Sequence, residues 1–168
     1  MGNIILIGMP AVGKSTVGVV IAKRLGYDFI DTDLLIQKQE NRLLKEIIAE
    51  DGIEGFLKIE DQVNKEVKAE RAVISPGGSV IYCEDAMRHY KEIGTIVYLS
   101  APFETIDSRI RNAKNRGVVL KEGQTLRMLY EERTKLFEKY ADITVDEYGK
   151  DLGETIESVL VALKMFYK

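Results

Sequence analysis

The segment Gly8-Met9-Pro10-Ala11-Val12-Gly13-Lys14-Ser15 most narrows what this chain can fold into. It fits G-x-x-x-x-G-K-[ST], a pattern that is no more than a glycine turn with an exposed lysine unless its flanks are right. Here they are. Asn3 to Gly8 reads N-I-I-L-I-G, short, rich in isoleucine and closed by glycine, as in a parallel strand buried on both faces. Ser15 to Leu25 sets Val17, Val20, Ile21 and Leu25 on one helical face, and Gly26 is placed to end that helix. A strand, a glycine-flanked turn and a helix in this order aim backbone N–H groups and the positive end of a helix at one point, a site for the phosphates of a nucleoside triphosphate. In such a site Gly8, Ala11, Val12 and Gly13 form the cradle and Lys14 reaches the β and γ phosphates. Ser15 offers its hydroxyl to Mg²⁺, and Thr16 lies within reach of the α phosphate.

The rest of the chain keeps alternating between strand and helix patterns. Phe29-Ile30 is a short second strand that runs into Asp31-Thr32-Asp33. Leu34 to Val67 is charged and periodic, with breaks near Asn41 and at Asp51-Gly52, which predicts two or three short helices. A third strand, Ala72 to Ser75, ends at Pro76-Gly77-Gly78, and a fourth, Thr95 to Ser100, ends before Pro102. From Pro102 a helix runs to about Ala113, and the basic stretch Lys114 to Gly123 predicts a mobile loop. A helix from Gln124 to about Tyr140, a fifth strand at Ile143 to Val145 and a closing helix from Leu152 to Phe166 complete the pattern. Strands alternating with helices imply an α/β protein with a five-stranded parallel sheet covered on both sides.

Composition narrows the function. With 168 residues, a net charge of −3, 45% hydrophobic and 30% charged residues, the chain reads as a single domain spanning residues 1–168. Its 24 Lys and Arg face 27 Asp and Glu without a basic block, so no nucleic-acid partner is expected and any affinity for anions is local. Cys83 is the single cysteine, which excludes an internal disulfide and a Cys/His metal site and fits a reducing compartment. No apolar run approaches the roughly 20 residues that cross a bilayer, and Met1-Gly2-Asn3 carries no signal-peptide pattern, so a cytoplasmic protein without a membrane partner is expected. A nucleoside triphosphate site leaves kinases, hydrolases, switches and motors open. The length leaves little room for coupled domains and there is no guanine-reading N-K-x-D segment, which favours a small phosphotransferase. His89, between Arg88 and Tyr90, has no catalytic partner in sequence and is expected at the surface or a helix end.

Asp31 and Asp33 fall at the end of the second strand, expected beside the first, at the carboxyl edge where open α/β sheets bind ligands. One carboxylate of such a pair can hold a Mg²⁺-bound water while the other accepts the proton of an attacking hydroxyl. Mg²⁺ and Lys14 nearby favour their ionised forms. Asp33 is also placed to cap the helix that follows, and the two roles are compatible.

Together these features resemble the shikimate kinase family, small P-loop kinases of the nucleoside monophosphate kinase type, over nearly the whole chain. The resemblance implies a three-layer αβα P-loop kinase fold with a mobile lid at about 112–123 and an acceptor-binding region at about 32–67. It implies ATP and Mg²⁺ as cofactors, a monomer, and transfer of the γ-phosphate to a hydroxyl of a small hydroxylated metabolite, shikimate to shikimate 3-phosphate as the family activity. The family's D-x-D looks like Asp31-Thr32-Asp33, the first carboxylate serving the magnesium and the second meeting the acceptor hydroxyl as base. Its glycine-rich segment resembles Ser75-Pro76-Gly77-Gly78-Ser79, which gives Gly77 and Gly78 to the acceptor. Its lid is similar to Arg109 followed by Arg116-Gly117-Val118-Val119-Leu120, and its later acceptor-binding arginine to Arg133 within Leu129 to Phe137; Ala141-Asp142 then matches the family's ending. Arg116, on a loop that can close, is suited to neutralise charge on the transferring group, and Arg109 to stack on adenine or touch phosphate. The same two arginines also read as solvated lid charges, and Arg133 as the partner of Glu132.

The departures fall on the acceptor side. Where the family has G-E-x-x-F-R-x-x-E, with the arginine gripping the acceptor carboxylate, this chain has Gly52-Ile53-Glu54-Gly55-Phe56-Leu57-Lys58-Ile59-Glu60. Leu57 stands in the arginine's place. Lys58 is one residue along, turned by about 100° on a helix, and it lacks the guanidinium fork. The glycine triplet is reduced to two between Pro76 and Ser79, and R-P-L-L becomes R-G-V-V-L. Kept nucleotide motifs with drifting acceptor motifs predict weak binding of shikimate and fit a kinase for a related metabolite; a nucleotide-binding module without turnover is the alternative from another class.

Overall fold

The computed structural model describes residues 1–113 and 118–168. Five strands, β1 (Asn3–Ile7), β2 (Asp28–Asp31), β3 (Ala72–Ser75), β4 (Gly94–Ser100) and β5 (Ile143–Asp146), form one parallel sheet in the order β2-β3-β1-β4-β5. Between and around them lie α1 (Lys14–Leu25), α2 (Thr32–Glu40), α3 (Leu44–Lys65), α4 (Glu84–Ile93), α5 (Phe103–Asn112), α6 (Leu126–Tyr140) and α7 (Leu152–Phe166). One turn of 3₁₀ helix, Val80–Tyr82, follows β3. α1 and α7 pack on each other and on the sheet at β3 and β5, while α4 and α6 pack on β4, so the sheet carries helices on its faces as strand–helix alternation requires.

β1 is the centre of the molecule. All five of its residues are buried, and Ile5 lies opposite both Ile74 of β3 and Ile96 of β4. Its first residue is polar yet buried: Asn3 donates to the carbonyls of Ala69 and Ile93 at 2.8 and 3.0 Å and accepts from the Ala72 amide at 3.0 Å. One side chain thus ties together the approaches to β3 and β4, with its own polar atoms satisfied.

The strands lie where sequence places them, but their order corrects one expectation. β2 is not beside β1; β3 lies between them, and β2 is the sheet's edge. Burial explains it, because all four residues of β3 are inside whereas β2 is only partly covered, as suits an edge strand. Of the breaks expected between Leu34 and Val67, Asn41 ends α2 with a left-handed φ of 52°. Gly52 only kinks α3, where φ 74° and ψ 177° interrupt an otherwise continuous span. The helix-like segment around His89 is α4, with Ala86, Met87 and Tyr90 buried. His89 is half-buried, and its Nε2 meets the Val67 carbonyl at 2.7 Å, a structural tie to the chain after α3. No helix among the described residues is long and apolar enough to cross a membrane.

Gly8 is where the chain leaves β1, with φ 156°. A Cβ there would lie 2.7 Å from the Leu99 carbonyl oxygen of β4 and 3.0 Å from Val12 Cγ1. The strand next door is backbone and cannot move aside locally. Gly8→Ala is therefore expected to cost about 2 kcal/mol or more in urea unfolding, as forced overpacking does, and a loss below about 0.5 kcal/mol, the range of neutral surface changes, would contradict this account of the turn.

Candidate active site

At the carboxyl ends of β1, β2 and β3 the loops enclose a cleft of about 460 Å³. One half of it is built on the turn after β1. Ala11, Gly13, Lys14, Ser15 and Thr16 line the cleft, while Gly8 and the buried Val12 shape the turn from behind, Val12 donating its amide to the Met9 carbonyl at 3.2 Å. Lys14 opens α1 and folds its Nζ over the loop, 2.8 Å from the Gly8 carbonyl and 3.0 Å from that of Met9. Those carbonyls hold a nearly buried ammonium at the mouth of the phosphate turn.

Arg109 reaches this loop from α5. Its Nη1 donates to the carbonyls of Ala11 and Val12 at 3.2 and 3.4 Å, and to Glu147 Oε1 at 2.6 Å. Glu147 is itself buried, so the arginine is tied to this loop through a buried carboxylate while much of its side chain stays in solvent. Arg116 lies outside the described residues. Further along the chain, Val118, Val119 and Lys121 line the cleft.

Asp31 and Asp33 both line the cleft, but their local roles differ from those expected. Asp31, not Asp33, caps α2: its Oδ1 accepts from the amides of Asp33 and Leu34 at 2.9 and 3.4 Å. The reason is position, since the cap must precede the first helical residue and the helix already begins at Thr32. Asp33 sits within the first turn and is free of capping work. Its Oδ1 is buried without a hydrogen-bond partner among the described residues. Burial, and secondarily the charge of Asp31, push its pKa up to about 6, against the downward pull of Lys14. It remains mostly ionised at neutral pH, with an affinity for protons suited to a base.

On the other side of the cleft the loop after β3 faces Asp33. A Cβ on Gly77 would lie 2.9 Å from Asp33 Oδ1 and 3.1 Å from Glu60 Oε2. One on Gly78 would lie 2.9 Å from Pro10 Cδ and 3.1 Å from Arg133 Nη1. The two glycines are thus required for close approach, the first between carboxylates and the second between the phosphate turn and an arginine. Arg133, on α6, is 8% exposed. It makes no ion pair with Glu132 among the described residues; Glu132 instead accepts a hydrogen bond from Tyr82, whose ring lies 5.6 Å from the Arg133 guanidinium. Arg133 Nε has no partner among the described residues. The wall opposite is apolar, formed by Leu44, Ile48, Ile53, Phe56 and Leu57. Lys58 is exposed and outside this cleft, so it does not stand in for the missing arginine.

The sequence reading gives no site role to Glu60, Ser79, Tyr82 or Glu147, although Glu60 ends the segment that matches G-E-x-x-F-R-x-x-E and Ser79 the one that carries Gly77 and Gly78. Glu60 was the most legible of them. It shares the apolar face of α3 with Phe56 and Val63, where a charged residue must have a reason to be. Ser79 Oγ donates to its Oε1 at 2.6 Å. Burial above all, with Asp33 adding to it, pushes its pKa up to about 7; Ser79 and Arg133 act in the other direction.

Comparison with known proteins gives this site its context. The family model described as "Shikimate kinase" matches residues 10–164. A shikimate kinase of Persephonella marina is 33% identical over 161 residues, covering 95% of this chain and 98% of that protein. The solved structure of shikimate kinase from Acinetobacter baumannii in complex with shikimate is 29% identical with a TM-score of 0.88, covering 100% of this chain and 95% of that one. That of the Aquifex aeolicus shikimate kinase is 33% identical with a TM-score of 0.80, over 97% and 96% of the two chains.

The buried Glu60 has a measurable consequence for stability. Its ordinary pKa of 4.5 is raised to about 7 in the fold, so the native state keeps a proton that the unfolded chain releases. Below pH 4.5 both states are protonated and stability is intact; it falls as pH rises from there through about 7. Glu60→Gln removes that loss. At pH 8 the variant is expected to be more stable than the wild type by about 1 to 3 kcal/mol, and nearly equal at pH 4. Urea unfolding at the two pH values checks this, and a variant no more stable at pH 8 refutes it.

Proposed function

The chain belongs to the shikimate kinase family, and from that premise we propose that this cleft transfers the γ-phosphate of ATP to a ring hydroxyl of shikimate. The carrying observation is that Asp33, whose Oδ1 is buried with no partner among the described residues, and the buried Arg133 line the cleft that also holds Lys14. In the proposed reaction the acceptor hydroxyl lies against Asp33, between Gly77 and the phosphate turn. As its oxygen forms a bond to the γ-phosphorus, the bond to the β-phosphate oxygen breaks and the hydroxyl proton passes to Asp33. Lys14 exchanges its loop carbonyls for β and γ phosphate oxygens, with Gly13 and the start of α1 adding N–H groups. Arg109, held by Glu147, borders the nucleotide, and Arg116 is the cation that closes over the transferring group. Gly77, Gly78 and Arg133 hold the acceptor, the arginine facing its carboxylate.

Ser15 and Asp31 fit a magnesium ion carried in on the phosphates. They offer one hydroxyl and one carboxylate at the cleft, too few for a protein cage and suited to an ion held mainly by phosphate and water. Asp31 spends Oδ1 on the α2 amides, which fixes its orientation. When bound, the ion neutralises charge on the β and γ phosphates. The single buried cysteine suits the cytoplasm.

The test is phosphoryl transfer measured on a panel of shikimate, quinate, gluconate and inositol, with shikimate expected to be accepted. Lys14→Ala should fold normally and lose more than about tenfold in kcat/KM, since no other cation on the loop replaces it, and tenfold is about 1.4 kcal/mol of transition-state stabilisation. Retention of more than a tenth of the activity would sink the assignment of the loop.

Leu57 makes the second measurable difference. An acceptor carboxylate with one charge-assisted partner instead of two is held more weakly by about 1 to 3 kcal/mol, or roughly ten- to a hundredfold. Leu57→Arg is therefore expected to lower KM for shikimate while leaving KM for ATP in place. If KM for shikimate is unchanged or rises, position 57 does not face the acceptor carboxylate.

A further inference from the structure

The reaction above leaves one buried acceptor group of the cleft unused, and the contacts around it show how it is held. Glu60 has no exposed surface. Its Oε1 accepts from Ser79 Oγ at 2.6 Å and lies 3.8 Å from Cys83 Sγ. Its Oε2 is buried with no partner among the described residues. That free oxygen and the free Oδ1 of Asp33 both come within about 3 Å of the point where a Cβ on Gly77 would sit, 3.1 and 2.9 Å respectively. Both residues line the cleft, so two open acceptors lie side by side against Gly77, an arrangement suited to two neighbouring hydroxyls of one polyol, because an unfilled buried acceptor is costly until a donor arrives.

Resting on the shikimate kinase reading, we propose that Ser79 is a positioning residue of the acceptor site, its hydroxyl fixing Glu60 through Oε1 so that Oε2 is presented to a second acceptor hydroxyl beside the one that Asp33 takes. The groups facing Glu60 come from several elements. Asp33 of α2 and burial favour its protonated form. Arg133 of α6 and the Ser79 hydroxyl favour the carboxylate. The Cys83 thiol and the Tyr90 phenol of α4 are themselves pushed up, mainly by burial and next by Glu60, and stay neutral. Leu57, which lines the cleft from the preceding turn, contributes no charge. The Cys83 thiol donates weakly to the same Oε1, and Ser79, at 2.6 Å, is the nearer neutral donor that orients Glu60 and keeps it an acceptor. A serine also carries out this role from a loop position that the family fills with the last glycine of its triplet, so the contact belongs to this chain's own residues.

The experiment has two arms. In the first, the Glu60 carboxyl is followed by ¹³C NMR across pH in the wild type and in Ser79→Ala, with Glu60→Gln identifying the signal. Its midpoint is expected to rise by about one pH unit in Ser79→Ala, the worth of one hydrogen bond to a charged group, and to return in Ser79→Thr. In the second, steady-state kinetics should show KM for shikimate about tenfold higher in Ser79→Ala, with kcat and KM for ATP changed less than twofold and Ser79→Thr restoring the wild-type values. An unmoved midpoint, or an unmoved KM for shikimate in an active enzyme, overturns the proposal. A wild type that does not phosphorylate shikimate fails the functional reading instead, and the NMR arm still decides for or against Ser79.

Discussion

The cleft depends on β1 being enclosed on both faces and paired along both edges. A parallel sheet needs each connection to cross back over a face, so every strand delivers its next loop at the same carboxyl edge. With β3 on one side of β1 and β4 on the other, the turn after β1 has no freedom to swing. Gly8 passes so close to the Leu99 carbonyl that only hydrogen fits between them. The loop after β3 is then set directly against the phosphate turn, and Gly78 lies within contact of Pro10 and of the Gly8 carbonyl. Nucleotide and acceptor sites are neighbours because their strands are neighbours. Phosphoryl transfer requires that, since reacting atoms must be held at about 3 to 3.5 Å before the bond changes.

Enclosure also sets the electrostatics. The acceptor half brings two carboxylates, Asp33 and Glu60, to one glycine and balances them with Arg133 across the loop and Lys14 on the nucleotide side. Burial raises both acids, but by different routes. Asp33 has Asp31 as an added repulsion and Lys14 as relief, and it ends near 6, ionised at neutral pH. Glu60 sits deeper, with Ser79 and Arg133 as its relief, and ends near 7. The proposed roles, Asp33 as the base and Glu60 as a binding group, rest on these two environments.

Much of this was legible in the residues alone. The isoleucine run into Gly8-x-x-x-x-Gly13-Lys14-Ser15 identified the central strand and its loop, because a strand buried on both faces has a composition that few other elements share. Strand order was not legible. A buried strand's periodicity says what covers it but not which strand lies beside it, and β2 was placed next to β1 although β3 separates them. The sequence offers Asp33 as the cap where Asp31 performs it, because the two positions are only two residues apart and a helix start read from sequence shifts by that much. Glu147 was invisible for another reason. Its partner Arg109 lies far away in sequence, and only the fold brings them to 2.6 Å. The part assigned to Arg116 stays an expectation from the lid pattern, outside the described residues.

The acceptor wall shows how one substitution shifts work onto another element. After the Gly52 kink, the second half of α3 turns Phe56, Glu60 and Val63 inward, and position 57 lies three residues before Glu60. Residues at that spacing are neighbours on a helix, so an arginine at 57, as in the family's F-R-x-x-E, stands one turn from the glutamate and can pair with it as well as with an acceptor carboxylate. With Leu57 that local partner is gone, yet the glutamate remains fully buried. A buried carboxylate stripped of its cation must find another donor, take up a proton or be lost. This chain does the first in part, through Ser79, and approaches the second, with a pKa near 7. Around Glu60 the leucine at 57 brings no charge, and the serine after β3 supplies a hydrogen bond to the buried carboxyl alongside the charge of Arg133.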